Sequence, residues 1–426
     1  MKRRDGETKR NTWQLHLRWL QPGLGVKRWL GLLVFGIGLL GLGGTVLLRE
    51  LYPLPWYFYY LTLQFLPRVV RTGLILTLSI GSISFALWQL NRAMLAPFVQ
   101  DAQLPVAELL YNYRRRGRGP HIVSLGGGHG MTALLRGLKH YSSNLTAIVT
   151  VADDGGSSGR LRRDLGILPP GDLRNCIAAL ADDESLVTRL FQYRFSSGAG
   201  LEGHNFGNLF IGAMSGVTGS FESALEESSR VLAIQGHVLP STLQAITLAA
   251  DVQLPDGRLA RVRGESHIPE VQGRIINVTL DPEQPPAYPA AVRALLNADV
   301  ITIGPGSLYT SLLPTLLIPD IAQALRASRA PKVYVCNVTN QPGETDGYDA
   351  EQHLQALETH LGLGWLSIIV VNALPTDAPP PGLHWVAPDI QPRPGLRIIR
   401  ADLRDTAHPS AHDSEKLARV IMELLK

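Results

Sequence analysis

The sequence predicts an α/β body, a largely parallel sheet with helices on both faces, carrying an antiparallel β insertion and preceded by a two-helix transmembrane hairpin. Three observations support that reading. After residue 120, short apolar runs rich in β-branched residues alternate with stretches of helical spacing, as in sheets assembled from strand–helix–strand units. Between Ile246 and Leu280 this rhythm gives way to strand-like runs around an Asp-Gly turn. Before residue 92 stand two uncharged runs of twenty residues each, Trp29–Leu48 and Thr72–Asn91.

Each of those runs, as a helix rising 1.5 Å per residue, matches the ~30 Å hydrocarbon of a bilayer. The segment between them, Tyr52–Phe65, is rich in Tyr and Trp, the residues of membrane interfaces. Lys2, Arg3, Arg4, Lys9, Arg10, Arg18, Lys27 and Arg28 precede the first run, and Arg92, Arg114, Arg115, Arg116 and Arg118 follow the second. The connecting loop has only Arg49, Arg68 and Arg71. The positive-inside rule then puts both ends in the cytoplasm. The expected organisation is a basic segment and hairpin over 1–92, a linker over 93–119 and a soluble domain over 120–426. That domain would face the cytoplasm from a bacterial-type cytoplasmic membrane.

Composition agrees. Charged residues make up 18% of the chain, below the ~25% usual for soluble domains, and mean hydropathy is +0.06. A net charge of +4 excludes a nucleic-acid footprint spread over the whole surface. The two cysteines, Cys176 and Cys336, exclude a disulfide scaffold and a Cys-rich zinc module.

Within the body, strands are expected at His121–Leu125, Asn144–Ala152, Asp299–Ile303, Lys332–Val338, Ser367–Asn372 and Leu396–Ala401. The insertion, about 245–280, is read as Ile246–Leu254 and Arg258–Arg263 around Pro255-Asp256-Gly257, with Ile275–Leu280 as a third strand. Pro375–Pro394 is Pro-rich and read as irregular, and a last helix begins near Ser414.

Polar, glycine-bearing loops follow the strands, and in an open α/β sheet such strand-end loops bind ligands. Gly126, Gly127, Gly128, His129 and Gly130 lie between a strand and a helix, where backbone N–H groups attract phosphate. The run is neither a Walker A loop nor G-x-G-x-x-G. Asp153 and Asp154 stand side by side at a strand end, costly unless a cation or donors neutralise them. Such hard oxygen ligands suit Mg²⁺ bound with substrate phosphates. Gly155, Gly156, Ser157, Ser158 and Arg160 continue that loop. Asp172, Arg174 and Asn175 follow a Pro-Pro-Gly turn, Asp172 as a helix N-cap. His204, Asn205 and Asn208 sit among glycines, with His204 better placed as hydrogen-bond donor or proton carrier than as metal ligand. Gly304, Gly306, Ser307, Tyr309 and Thr310 repeat the logic of the first loop, and Asn337, Glu344 and Thr345 end the next strand. Gly155–Gly159 also fits the G-x-S-x-G elbow with Ser157 as nucleophile, but no histidine stands out in the sequence as its partner. The G-x-G-x-x-G runs at Gly36–Gly41 and Gly198–Gly203 neither follow a strand nor open a helix, so NAD is not expected; nor are haem or zinc.

At these residues the chain resembles the gluconeogenesis factor (YvcK) branch of the CofD-like superfamily. The matching segments are GGGHG, VADDGGSSGRLR, PPGDLRN, GHNFGN, GESHIP, GPGSLYTS and NVTNQPGETDGY. The resemblance implies a Rossmann-like, doubly wound fold and a nucleotide-sugar ligand such as UDP-N-acetylglucosamine. It further implies a role in cell shape and envelope metabolism during gluconeogenic growth, with no established catalysis. The rival expectation is a Mg²⁺-dependent transferase of the 2-phospho-L-lactate transferase type, with Asp153 and Asp154 holding the metal. His129 replaces a small hydroxyl residue common in the family, and the hairpin is an extension that compact members lack. The partners expected are the nucleotide sugar, the membrane and, as an allowed state, further copies of the chain; no nucleic acid is expected.

Overall fold

The computed structural model describes residues 26–48, 60, 63, 65–99, 116–181, 186–373 and 377–425. The basic N-terminal segment, most of the aromatic Tyr52–Phe65 loop and residues 100–115 of the expected linker lie outside the described residues. The chain forms two compact units, Met1–Tyr111 and Asn112–Lys426.

The first unit pairs helix α1 (Val26–Leu48) with α2 (Arg68–Val99). Gly36 permits close approach, because a Cβ there would lie 2.8 Å from Ile83 Cγ1. Trp29 and Phe85 meet edge to face at 5.6 Å. Buried between the helices is Ser79, whose hydroxyl donates to the Ile75 carbonyl, while Val34, Phe35, Ile37, Leu78, Ile80 and Trp88 point outward and are exposed. Val69–Leu90 is, among the described residues, the one stretch long and apolar enough to cross a membrane, by length and composition; the apolar stretch in α1, Gly31–Gly41, is shorter. α2 runs on to Val99, into the segment read as a linker.

Among the described residues, the second unit contains ten strands. β1 (Ile122–Gly126), β2 (Leu145–Val149), β3 (His237–Pro240), β7 (Val300–Ile303), β8 (Lys332–Val335), β9 (Ile368–Asn372) and β10 (Arg397–Ala401) form one seven-stranded sheet in the order β10-β9-β8-β7-β1-β2-β3. All its pairs are parallel. The chain builds outward from β1 to β3, then returns to the other side of β1 through β7, a Rossmann-like order. Every residue of β1, β7, β8 and β9 is buried. Strands covered on both faces read as continuous apolar runs, which is why they stand out in the sequence. β3, a four-residue edge strand ending in proline, does not. Pairing of Leu125 with both Ile148 and Ile303, and of Ile303 with Tyr334, brings the strand ends level. The expected strands at 144–152 and 332–338 end early, at Val149 and Val335. The residues beyond them turn away into loops.

Among the described residues, eleven further α-helices pack around the two sheets. α3 (Gly128–Leu138), α4 (Gly156–Leu165), α5 (Gly171–Leu180) and α6 (Leu186–Phe191) precede α7 (Phe206–Thr218) and α8 (Phe221–Val231). Then come α9 (Pro289–Leu296), α10 (Leu313–Leu316), α11 (Pro319–Ala327), α12 (Ala350–Leu361) and α13 (Ser414–Glu423). Their starts show ordinary capping chemistry. Asn205 accepts from Gly207 N, Asp349 and Gln352 form a capping box, and Asp413 accepts from Glu415 and Lys416. At α5 the expectation fails: Pro170 holds the N-cap position and Asp172 lies in the first turn, where its carboxylate is free to reach another element. The insertion is the antiparallel sheet β5-β4-β6, with β4 (Thr247–Gln253), β5 (Leu259–Arg263) and β6 (Arg274–Asp281). A 3₁₀ turn, Glu265–Glu270, joins β5 to β6.

α13 docks on α3 at Gly137, where a Cβ would overlap the Ser414 carbonyl and stand 2.7 Å from Ala418 Cβ. Gly137→Ala must separate two helices and is expected to cost ~1–3 kcal/mol as an overpacked core contact, despite the better helix propensity of Ala. Urea unfolding of the full chain in detergent checks this; an unchanged midpoint would show that α13 does not pack there.

Candidate strand-end binding site

The level strand ends bring the sequence-selected loops to the C-terminal edge of β1, β2, β7 and β8, around the switch point between β1 and β7. Asp172 ties the edge together. Its carboxylate accepts from Gly128 N–H at the start of α3 and is supported by the Asn175 side chain. A Cβ on Gly127 would overlap that carboxylate, although Gly127 itself is extended, with φ −176°. Gly127 is therefore required for space. Gly128, at φ +66°, is required for conformation.

Asp153 joins Asp172. Its Oδ1 accepts from Gly155 N at 2.9 Å and its carboxylate is bonded to the Ser158 side chain. Gly171 keeps room there, since a Cβ would stand 3.0 Å from Asp153 Oδ2. Asp154 turns elsewhere: its Oδ1 accepts from Ser266 N at 2.9 Å, anchoring the 3₁₀ turn of the insertion. Thus the two adjacent carboxylates, read as a pair, accept from different partners, while Asp154 still raises Asp153 and Asp153 in turn raises Asp172. Burial, and then Asp153, pushes Asp172 up to about 6. Glu265, on that 3₁₀ turn, is pushed up to about 8 by burial, then by Asp153, Asp172 and Glu344. Sequence reading passed over Glu265; its signal was the glycine before it, Gly264 at φ +100°.

A cationic group faces these acids. Arg174 is buried, donating to Gly171 O and Asn175 Oδ1, and is pushed down to about 10 by burial and then by Arg194. Arg194, also missed in the sequence, donates to Gly203 O at 2.8 Å. Arg160 reaches the same turn, with Nη2 3.0 Å from where a Gly203 Cβ would lie. Burial, then Arg160, lowers the pKa of His204.

Ser157 does have a histidine partner, contrary to the sequence reading. Its Oγ lies 3.1 Å from His204 Nδ1, 3.1 Å from Asn208 Nδ2 and 3.3 Å from Asn205 N. The two amide groups only donate, so the single hydroxyl proton goes to His204 Nδ1 and the ring carries its own proton on Nε2. No carboxylate bonds that Nε2 among the described residues. Ser157 is a buried hub joining α4 to α7, without the acid that would orient a base.

On the β7 side, Gly130 lets α3 touch the next loop, since a Cβ would lie 2.7 Å from the Pro305 carbonyl. Asn337 bridges the β7 and β8 ends, accepting from Gly306 N at 3.2 Å and donating to Gly306 O at 3.0 Å. Glu344, buried and pushed up to about 7 by that burial, accepts from Thr310 Oγ1, Tyr309 N and Gln341 Nε2. Thr345 Oγ1 accepts from Gln341 N. Tyr309 and Tyr348 bond each other through their hydroxyls at 3.0 Å. These residues hold the loops in place. Gly304, at φ +73°, turns the chain out of β7, while Gly155 and Gly156 lead into α4.

A cleft of about 390 Å³ opens at the switch point, lined by Gly128, His129, Gly130, Gly306, Ser307 and Asn337 and completed by 338–342 and 410–412. Residues 338–342 fall inside the NVTNQPGET run that the sequence marks, whereas 410–412 were not among the sequence candidates. Ser410–His412 arrive from 73 or more residues after Asn337, so no local pattern marks them. Two other clefts, beside β3 and between α9 and α11, include none of the sequence-selected residues. Among the described residues no three His, Cys, Asp or Glu side chains converge to hold a metal unaided.

The family model described as 2-phospho-L-lactate transferase CofD matches residues 122–403. A gluconeogenesis factor of Bacillus subtilis (strain 168) is 46% identical over 321 residues, covering 73% of this chain and 99% of that protein. A relative from Nostoc sp., named provisionally for the same factor, is 44% identical over 436 residues, covering 97% of this chain and 92% of its own. The crystal structure of a UPF0052-family member from Bacillus halodurans superimposes with a TM-score of 0.66 at 41% identity, covering 72% of this chain and 99% of that one. The chain belongs to the CofD family, and within it to the gluconeogenesis factors.

Proposed function

We propose that the body binds a nucleotide sugar of the UDP-N-acetylglucosamine type at the strand-end site. It acts thereby as a regulator of cell shape and envelope metabolism during gluconeogenic growth. One observation supports this most directly. Half-buried carboxylates (Asp153, Asp172, Glu265) gather with the buried Arg174, and Asp172 bonds Gly128, which lines an open cleft at the switch point, where open α/β sheets take nucleotides. Phosphates need cations, and the neighbouring acids need one too. Mg²⁺ answers both: it takes one or two carboxylates and completes its shell with phosphate and water oxygens. Asp153 and Asp172 would hold it, with Asp154 bracing the insertion. The transferase alternative uses the same cation; Tyr309 and Tyr348, bonded to each other, offer little free ring surface for a flat acceptor.

The sign of the pH dependence follows from the raised carboxyl pKa values. Asp172 at about 6, Glu344 at about 7 and Glu265 at about 8 lie above the ~4 of an unfolded chain. Their contribution to stability is complete below pH ~4 and is lost as pH rises through 6–8. The ligand-free full chain in detergent should therefore melt at lower temperature at pH 8.5 than at pH 6. UDP-N-acetylglucosamine with Mg²⁺ should raise the midpoint more at pH 8.5, because the cation offsets the exposed acid repulsion. Asp153→Asn should remove most of that extra gain and weaken binding by ~1–3 kcal/mol. Equal ligand shifts at both pH values, in wild type and variant, would place the cation and this carboxylate outside the site.

The same proposal tethers the body to a membrane. α1 and α2 bury Ser79 between them and turn apolar side chains outward, the arrangement that lipid rather than water tolerates. A reporter fused after Lys426 should behave as cytoplasmic and one inserted near Pro55 as external. Labelling of the C-terminal reporter from outside the cell would reverse the assigned orientation.

A further inference from the structure

His412 lies in the switch-point cleft, delivered by the loop before α13. Its Nε2 is 3.2 Å from the Cys336 carbonyl. A carbonyl only accepts, so Nε2 carries the proton, and the ring keeps one bare acceptor, Nδ1. Burial pushes the imidazole down to about 4, so it stays neutral at physiological pH. The ring is fixed in place: Arg404 and His412 form a β-bridge, and Asp413 N donates to Leu403 O at 2.8 Å. His412 is buried to 7% exposure, yet Nδ1 makes no hydrogen bond among the described residues and is not one of the sealed, unpartnered atoms. His412 is among the residues that line the cleft.

The neighbouring amides are already committed. Asn337 bonds Gly306 in both directions, Asn340 donates to Asp346 and accepts from His384 N, and Gln341 donates to Glu344. An acceptor without a partner in a half-dry cleft costs free energy until a ligand supplies a donor.

We propose that His412 is a specificity residue of this site: its Nδ1 accepts a hydrogen bond from a neutral N–H or O–H group of the ligand, a base imide or a sugar hydroxyl. The proposal rests on the nucleotide-sugar reading of the cleft. It excludes ligands that would present only an acceptor there, because a neutral Nε2–H ring offers no donor on that side.

Two substitutions separate reading from scaffolding. His412→Gln places an amide near Nε2, keeping the donor to Cys336 and removing the Nδ1 acceptor. His412→Asn places an oxygen near Nδ1, keeping the acceptor and losing the bond to Cys336. Calorimetric titration of the full chain in detergent with UDP-N-acetylglucosamine and with UDP should show at least tenfold weaker binding for Gln at an unchanged thermal midpoint. Asn should recover most of the affinity at a lowered midpoint. Loss for both compounds assigns the donor to the nucleoside; loss for UDP-N-acetylglucosamine alone assigns it to the sugar. Wild-type affinity in Gln, or equal loss in Gln and Asn, overturns the proposal. If the wild type binds neither compound, the nucleotide-sugar reading falls by itself. Side-chain ¹⁵N spectra then judge His412 alone: a neutral Nε2–H ring at pH 6 upholds the acceptor, and an imidazolium or Nδ1–H ring overturns it.

Discussion

The contact between the Asp172 carboxylate and the backbone at the start of α3 organises the strand-end edge. It joins the first turn of α5 to the β1 loop, and it requires two glycines for different reasons. Gly127 must lack a Cβ so that the carboxylate fits, whereas Gly128 must adopt a positive φ. One donor of the helix N-terminus is thereby spent on an internal carboxylate. The glycine loop thus holds an acid in position, and in the proposed site anion binding falls to the guanidinium groups around Gly203 and to the remaining amides.

Burying acids beside one another is unfavourable by itself, and the fold distributes the cost. Asp154 is satisfied by Ser266 N, Glu344 by the start of the segment after Ser307, and Asp153 by Gly155 and Ser158. Two of these connections tie one loop to another: Asp154 joins the β2 loop to the insertion, and Glu344 joins the β8 loop to the segment after Ser307. Gly343 extends this, with no room for a Cβ against the Pro269 carbonyl. Asp172 combines both features, lying beside Asp153 while its carboxylate holds the start of α3 through Gly128 N–H.

How much of this was legible in the sequence depends on the kind of signal. The buried parallel strands could be read because covered strands are apolar at every position. β3 could not, being short, at the edge and closed by Pro240. Ser157, Asn208 and Glu344 were found through composition, as polar residues between glycines, but their partners were not. The Ser157–His204 contact spans 47 residues and Asp154–Ser266 spans 112, beyond any periodic pattern. For the same reason Asp153 and Asp154, adjacent in sequence, were read as one metal pair, although neighbouring residues leaving a strand point in different directions.

Distance along the chain also explains the division of labour at the cleft. The residues nearest β1 and β7 are glycines and small hydroxyls that set the shape of the backbone and read no particular ligand. Discrimination needs a side chain whose hydrogen-bonding state is fixed before the ligand arrives, since preorganised groups lose least on binding. His412 meets that condition because the Cys336 carbonyl, at the end of β8, dictates its tautomer. A sheet strand thus determines, through one carbonyl, what a loop near the C-terminus can accept. In the proposed site, specificity would then rest on the core carbonyl that fixes the ring, although His412 itself comes from the loop before α13.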